Sequence, residues 1–247
     1  LLEEMKSCGI EPTVISYSAA ISACEKGGQW QRALELLEEM KSRGIEPPVS
    51  SYSAAISACE KGGQWERALE LLEEMKGRGV EPDVISYHAG LEALPVSELP
   101  RAREILKQAI SSGHYRVWNA RGELDLHLAE PGTTGACSAA VARVILHHTL
   151  LEYAEGSRKI ADLAVVTGQG HGSGEGGPVL PTATRQFLTE ETAPALEIRE
   201  VPSNPGMFVV SAASIRQWVS HTSISEFKQP TCWSCMKPLH PTTGAST

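Results

Sequence analysis

Self-similarity at a period of 35 residues constrains this chain more than any other feature. Tyr17, Tyr52 and Tyr87 are spaced by 35, as are Trp30 and Trp65, and Met5, Met40 and Met75. Residues 14–47 match 49–82 with four substitutions: Ile15/Ser50, Gln31/Glu66, Ser42/Gly77 and Ile45/Val80. Each unit reads as two helices. The first runs over 14–24, with Ile15, Ala19 or Ala20, and Ile21 near a helical spacing. Gly27-Gly28 breaks it, and a second helix follows over 30–41 with Ala33, Leu34, Leu37 and Met40 on one face. Gly44 stands at a helix C-terminus, and Pro47 prevents continuation. Two helices cannot bury their own apolar stripe, whereas stacked pairs can, so residues 1–112 are expected to form an α-helical solenoid. It comprises a partial unit (1–13), full units 14–48 and 49–83, and a decayed unit 84–112, in which Pro95 and Pro100 replace the Gly-Gly turn.

The motif Val-x-Ser-Tyr-Ser-x-x-Ile-x-x-Cys-x-x-Gly-Gly, then Ala-Leu-x-Leu-Leu-x-Glu-Met-Lys-x-x-Gly-(Ile/Val)-Glu-Pro, resembles the pentatricopeptide repeat over residues 1 to about 94. The rival tetratricopeptide repeat binds protein and has a shorter period. The resemblance implies binding of single-stranded RNA, one base per repeat. It implies that the residue after the Tyr and the last residue of the unit face the base: Ser18 with Pro48, and Ser53 with Asp83. His88 is the matching position of the decayed unit. A small hydroxyl with Asp is the family's purine-reading pair, with guanine preferred. Pro48 has no side-chain donor or acceptor, so its unit is expected to read nothing. Ile15, Ser50 and Ile85, two residues before each Tyr, would sandwich bases.

Beyond Gly113 the period disappears and Gly, Pro and His become more frequent. Leu124, Leu126 and Leu128 alternate as in a strand, and a helix is expected over 134–153 with Thr133 or Thr134 as its cap. Further strands fall at 162–167, 196–201 and 207–210, with a Gly-rich loop at 168–177 and a helix over 183–190. Strands alternating with helices imply an α/β layer. Strand alternation puts Asp125 and His127 on one face, where a carboxylate can orient an imidazole and stabilise its charged form. The loop Thr167-Gly168-Gln169-Gly170 with His171 offers backbone N–H groups to an anion. By spacing alone, each is also an ordinary solvated strand face or turn.

In this order, Leu-Asp-x-His and Thr-Gly-x-Gly resemble the small MutS-related (Smr) domain, over about 123–219, with Pro178-Val179-Leu180 and Asn204-Pro205-Gly206 resembling its closing elements. The resemblance implies a βαβαββ sandwich over 121–219 that binds nucleic acid, and in some members cuts it. His127 would act as general acid or base, Asp125 would orient it, and the 167–170 loop would hold the scissile phosphate. A divalent cation, magnesium or manganese, is an optional partner of Asp125; the sequence contains no dedicated metal cage. The chain departs from the family where His171 directly follows Gly170 and Gly172 precedes Ser173.

Composition sets the alternatives. The net charge is −8, and residues 1–112 hold 12 Lys and Arg against 18 Asp and Glu. That balance opposes generic electrostatic RNA binding. It keeps open a non-catalytic, sequence-selective RNA-binding factor and a protein-interaction scaffold beside an RNA-processing protein with endonuclease activity. No apolar run approaches the roughly 20 residues that span a bilayer, so no membrane partner is expected. Cys24 and Cys59 share a repeat position, which suits packed thiols in a reducing compartment. The chain opens at Leu1 inside a repeat, so a fragment or processed product is expected, lacking any N-terminal targeting region. The repeat family acts in mitochondria or chloroplasts. Residues 220–247 read as a polar, disordered tail, with Cys232 and Cys235 an uncommitted Cys-x-x-Cys.

Overall fold

The computed structural model describes residues 2–126, 137–168, 179–222, 231–232 and 237–238. The chain divides into two compact units, 1–95 and 96–247. The first contains α1 (Leu2–Ser7), α2 (Val14–Lys26), α3 (Trp30–Ser42), α4 (Val49–Lys61), α5 (Trp65–Gly77) and α6 (Val84–Ala93). Ala, Leu, Glu, Met and Lys dominate α3 and α5, residues that lose little freedom in a helix. The helices end alike. After α2, the Gln29 N–H reaches the Cys24 carbonyl at 2.9 Å and the Gly28 N–H reaches that of Glu25 at 3.3 Å. After α3, the Ile45 N–H reaches Met40 and the Gly44 N–H reaches Lys41. This closure puts one residue at positive φ, and Gly28 (65°) and Gly44 (73°) take it without a Cβ penalty.

The first helices α2, α4 and α6 lie side by side, with α3 against α2 and α4, and α5 against α4 and α6. Tyr17, Ile21, Tyr52 and Ile56 are thereby fully buried, each worth about 1.5–3 kcal/mol by area. In α3 the buried face is Ala33, Leu36, Leu37 and Met40; Leu34 is only half-buried, one position off the expected stripe. Ile15 takes no part in the core and is 80% exposed. Polar links tie the two helices of each unit together and join one unit to the next. The Tyr17 hydroxyl donates to Glu39 at 2.8 Å and the Tyr52 hydroxyl to Glu74 at 2.9 Å. Lys41, nearly buried, donates to Glu74 of the next unit at 2.7 Å. Burial raises the Glu74 pKa, but the bonds from Lys41 and Tyr52 outweigh it and hold the carboxyl below its ordinary value. Trp30 lies so close over Gly62 that a Cβ there would stand 2.3 Å from the indole Cδ1. Burial pushes the Cys59 thiol up to about 11 and raises that of Cys24, so both are poor nucleophiles.

The second unit begins with a 3₁₀ turn (Val96–Glu98) and α7 (Leu99–Ser111). The repeat count assigns α7 to the decayed unit; in the structure it lies in this second unit, packed on α8 (Ala139–Ala154). Laid on α5, α7 keeps the pattern Arg-Ala-x-Glu-(Leu/Ile)-Leu but has Arg103 where the repeat has Leu69. Arg103 is buried and forms a bidentate pair with Glu155, at 2.8 and 2.6 Å. Its Nε donates to His148 Nδ1 at 3.2 Å, which leaves the ring proton on Nε2, 3.8 Å from Glu152.

Strands β1 (Leu124–Asp125), β2 (Leu163–Val166), β3 (Ile198–Val201) and β4 (Asn204–Val210) form one sheet in the order β1-β2-β4-β3. The β1–β2 pair is parallel and the other two pairs are antiparallel. With α8 and α9 (Val179–Gln186), which runs into a π turn (Phe187–Glu191), the order is that of a small α/β layer. Helix α10 (Ala212–His221), anchored by the buried Ile215 and Trp218, follows β4 and was not expected. The α8 cap is Ser138, whose side chain accepts from the Val141 N–H; Thr133 and Thr134 lie outside the described residues. In the tail, β5 (Thr231–Cys232) pairs antiparallel with β6 (Lys237–Pro238). No helix among the described residues is long and apolar enough to cross a membrane.

Two stability predictions follow. Gly62→Ala drives a methyl group into Trp30 and costs about 1–3 kcal/mol, whereas Gly27→Ala, whose Cβ meets only backbone of its own helix and a Gln29 carbon, changes stability by less than about 1 kcal/mol. Urea denaturation of the two variants separates them. The second concerns His147, which burial first, and then the charge of Arg103, pulls down to about 3. Its folded pKa lies below the unfolded value of 6.5, so the unfolded chain binds more protons below that pH and stability falls as pH drops. Between pH 7 and pH 5.5, His147→Leu loses about 1 kcal/mol less than the wild type in the same urea assay.

Candidate nucleic-acid interface

In the first unit, the expected reading residues sit on the first helices. The last residue of each unit becomes the N-cap of the next first helix: Thr13 for α2, Pro48 for α4 and Asp83 for α6. The residue after each Tyr lies one turn into its helix, so its hydroxyl falls back on the carbonyl four residues earlier. Ser18 donates to Val14 and Ser53 to Val49, both at 2.8 Å.

The structure brings Ser53 to Asp83: the hydroxyl oxygen lies 3.0 Å from Oδ1, so its single proton is shared between Asp83 and the Val49 carbonyl. Asp83 Oδ1 accepts the Ser86 backbone N–H at 2.8 Å and the Ser86 hydroxyl at 2.8 Å. Ser18 meets Ser51 instead, at 2.8 Å between hydroxyl oxygens, while Pro48 caps α4 with no side-chain bond. His88 is half-buried, its Nε2 3.9 Å from Glu92 on the same helix. The expected sandwiching residues are all exposed, Ile15 at 80%, Ile85 at 55%, and Ser50 beside them in class. Sequence reasoning passed over Ser51 and Ser86. Their signal is the same period: each is the third residue of its first helix and falls opposite the fifth residue of the helix before it.

These first helices carry little charge. Within α2 it is confined to Glu25 and Lys26, within α4 to Glu60 and Lys61. Much of the basic charge sits on or after the second helices, where it is paired: Arg32 with Glu35, Lys41 with Glu38 and Glu74, Arg43 with Glu39, Arg67 with Glu70 and Arg78 with Glu74.

In the second unit, the parallel register sets Asp125 beside Val166 at the carboxyl ends of β1 and β2. Leu124 and Leu126 are fully buried, as the alternation requires, and Asp125 is buried too rather than on a solvated face. One residue beyond Val166, Thr167 donates both its N–H (2.8 Å) and its hydroxyl (3.0 Å) to the Gly206 carbonyl. The residues expected near the Leu-Asp, Thr-Gly and Asn-Pro-Gly segments therefore meet at one end of the sheet. Gly168 has φ of 71°, which turns the chain away from β2. His127, Gln169, Gly170 and His171 lie outside the described residues. Among those described, no three His, Cys, Asp or Glu side chains converge to hold a metal ion.

No curated protein matches the chain. Among solved structures, the pentatricopeptide repeat protein PPR10 in complex with an 18-nt psaJ RNA element is 22% identical, over 64% of this chain and 20% of its own, with a TM-score of 0.41. PPR10 from maize is 23% identical, over 63% and 20%, with a TM-score of 0.43. The chain thus spans about a fifth of the length of these structures. The family comparison is local: residues 1–62 and 35–96 each match the pentatricopeptide repeat domain. The N-terminal unit, residues 1–96 by that match, therefore carries pentatricopeptide repeats.

Proposed function

We propose that the repeats bind single-stranded RNA along their first helices, with Ser53 and Asp83 reading one base. The observation that carries this reading is the bonded Ser53–Asp83 pair, at the two positions that face a base in this repeat family. A carboxylate only accepts hydrogen bonds, and guanine alone offers it two adjacent N–H donors on its pairing edge, so guanine is the preferred base. Ile15 and Ile85, exposed on α2 and α6, supply apolar faces for stacked bases, with Ser50 at the equivalent position of α4. Ser18 lacks a carboxylate partner because Pro48 stands in its place, and His88 reads without a full unit behind it. On this reading the protein acts in RNA processing in a mitochondrion or chloroplast.

The same geometry answers the acidity of the chain. Reading helices with few charges neither attract nor strongly repel phosphates, so affinity comes from base contacts rather than counterion release. In fluorescence anisotropy, log K against log salt should fall with a slope smaller in magnitude than about 2. A steeper slope rejects base reading as the source of affinity. No binding of single-stranded RNA at moderate salt rejects the RNA reading and favours the protein scaffold.

For the second unit, we propose an Smr-type domain that grips or cuts the same RNA. Support comes from the meeting of Asp125, Thr167 and Gly206 at one end of the sheet. Asp125 would orient His127 as general acid or base on the attacking or leaving oxygen, and the 167–171 loop would hold the phosphate. Incubation of labelled RNA with the wild type, Asp125→Asn and His127→Ala tests this. Cleavage by the wild type that drops at least about a hundredfold in both variants supports the nuclease. Binding without cleavage in all three leaves a passive RNA-binding factor.

A further inference from the structure

Hydroxyl pairs join each first helix to the next. Ser18 meets Ser51 at 2.8 Å, and Ser53 meets Ser86 at 2.9 Å. Ser51, Ser53 and Ser86 are at most 3% exposed. A buried hydroxyl with a fixed partner stabilises one arrangement of that partner, since leaving either group unmade is costly. At Asp83 the consequence is specific. Its Oδ1 accepts from the Ser86 hydroxyl and the Ser86 N–H, and faces the Ser53 hydroxyl, which shares its one proton between Asp83 and Val49. Two of the three donors belong to Ser86. Turning the carboxylate breaks all of them at once, so Ser86 sets the plane of the group and with it the direction of the other oxygen. Without the Ser86 hydroxyl, Ser53 keeps an alternative acceptor in the Val49 carbonyl of its own helix, at 2.8 Å, and the pair loosens.

We infer that Ser86 is a positioning residue for base selection: it aims the Ser53–Asp83 pair without itself touching the base. Ser51 is the same device in the preceding unit, holding Ser18 where Pro48 supplies no carboxylate. This inference rests on the RNA reading above. It adds that a reading site is built from three residues of successive repeats, and that the first unit already has two of them.

The test uses the full chain and four single-stranded RNAs that differ at one central base, with affinity read by fluorescence anisotropy. In Ser86→Ala the preference for guanine over the other bases should shrink by roughly tenfold, with total affinity for the mixture little changed and the fold intact by circular dichroism. Ser86→Thr, which restores the hydroxyl, should recover the preference. The second arm is a gain, which misfolding cannot mimic. Pro48→Asp also provides a better cap for α4 and should create a guanine preference at a neighbouring position; Pro48→Asp with Ser51→Ala should lose it. If the wild type discriminates and Ser86→Ala discriminates equally, Ser86 is merely structural and the inference fails while the RNA reading stands. The inference also fails if Ser51→Ala leaves the gained preference untouched. A wild type that binds none of the four RNAs overturns the RNA reading, and this inference with it.

Discussion

Tyr52 and Ile56 are shut off from water because the first helix of one repeat lies against the first helices of its neighbours. Neither a single helix nor a two-helix unit achieves this, so each repeat holds its shape only in company. Other features of the N-terminal unit serve that contact. Lys41 reaches forward to Glu74, Trp30 covers Gly62, and the hydroxyl pairs Ser18–Ser51 and Ser53–Ser86 link the first helices of successive repeats.

The second unit depends on a different contact. Helix α7 keeps most of the repeat's apolar pattern, yet Arg103 replaces the leucine of α5 and is buried against Glu155 and His148 of α8. A leucine would be satisfied by any apolar face. A buried guanidinium needs the particular carboxylate and imidazole that neutralise and orient it, which makes the pairing of α7 with α8 selective. Burial lowers the pKa of the adjacent His147 and His148, so this helix pair is also where the fold is sensitive to acid.

Much of the first unit was legible in the residues. Period, helix boundaries to within two residues and the Gly-Gly turns all follow from local chemistry repeated at fixed spacing. The errors were equally local. Leu36 rather than Leu34 faces the core, because the buried stripe is set by the neighbouring repeat and not by the helix's own symmetry. Ile15 suits a core by type but lies 80% exposed. In the second unit, the alternation of strands and helices was readable. Helix α10 was not, because its polar surface hides the two anchors, Ile215 and Trp218, that dock it.

The sequence by itself determined the repeat, its period and the kind of residue at each repeat position, since these depend on which residue recurs 35 places along. It also determined that Pro48 brings no side-chain hydrogen bond to the cap of α4, since proline has no side-chain donor or acceptor. Only the tertiary structure decided which hydroxyls face each other across repeats, that Ser86 commits an oxygen of Asp83, that Gly62 but not Gly27 lies beneath a tryptophan, and that α7 belongs with α8. The physical reason is the same in each case. Recurrence along the chain fixes the kind of group at a position, whereas partnership depends on the ångström-scale offset between packed helices, and identical segments acquire different partners when their neighbours differ.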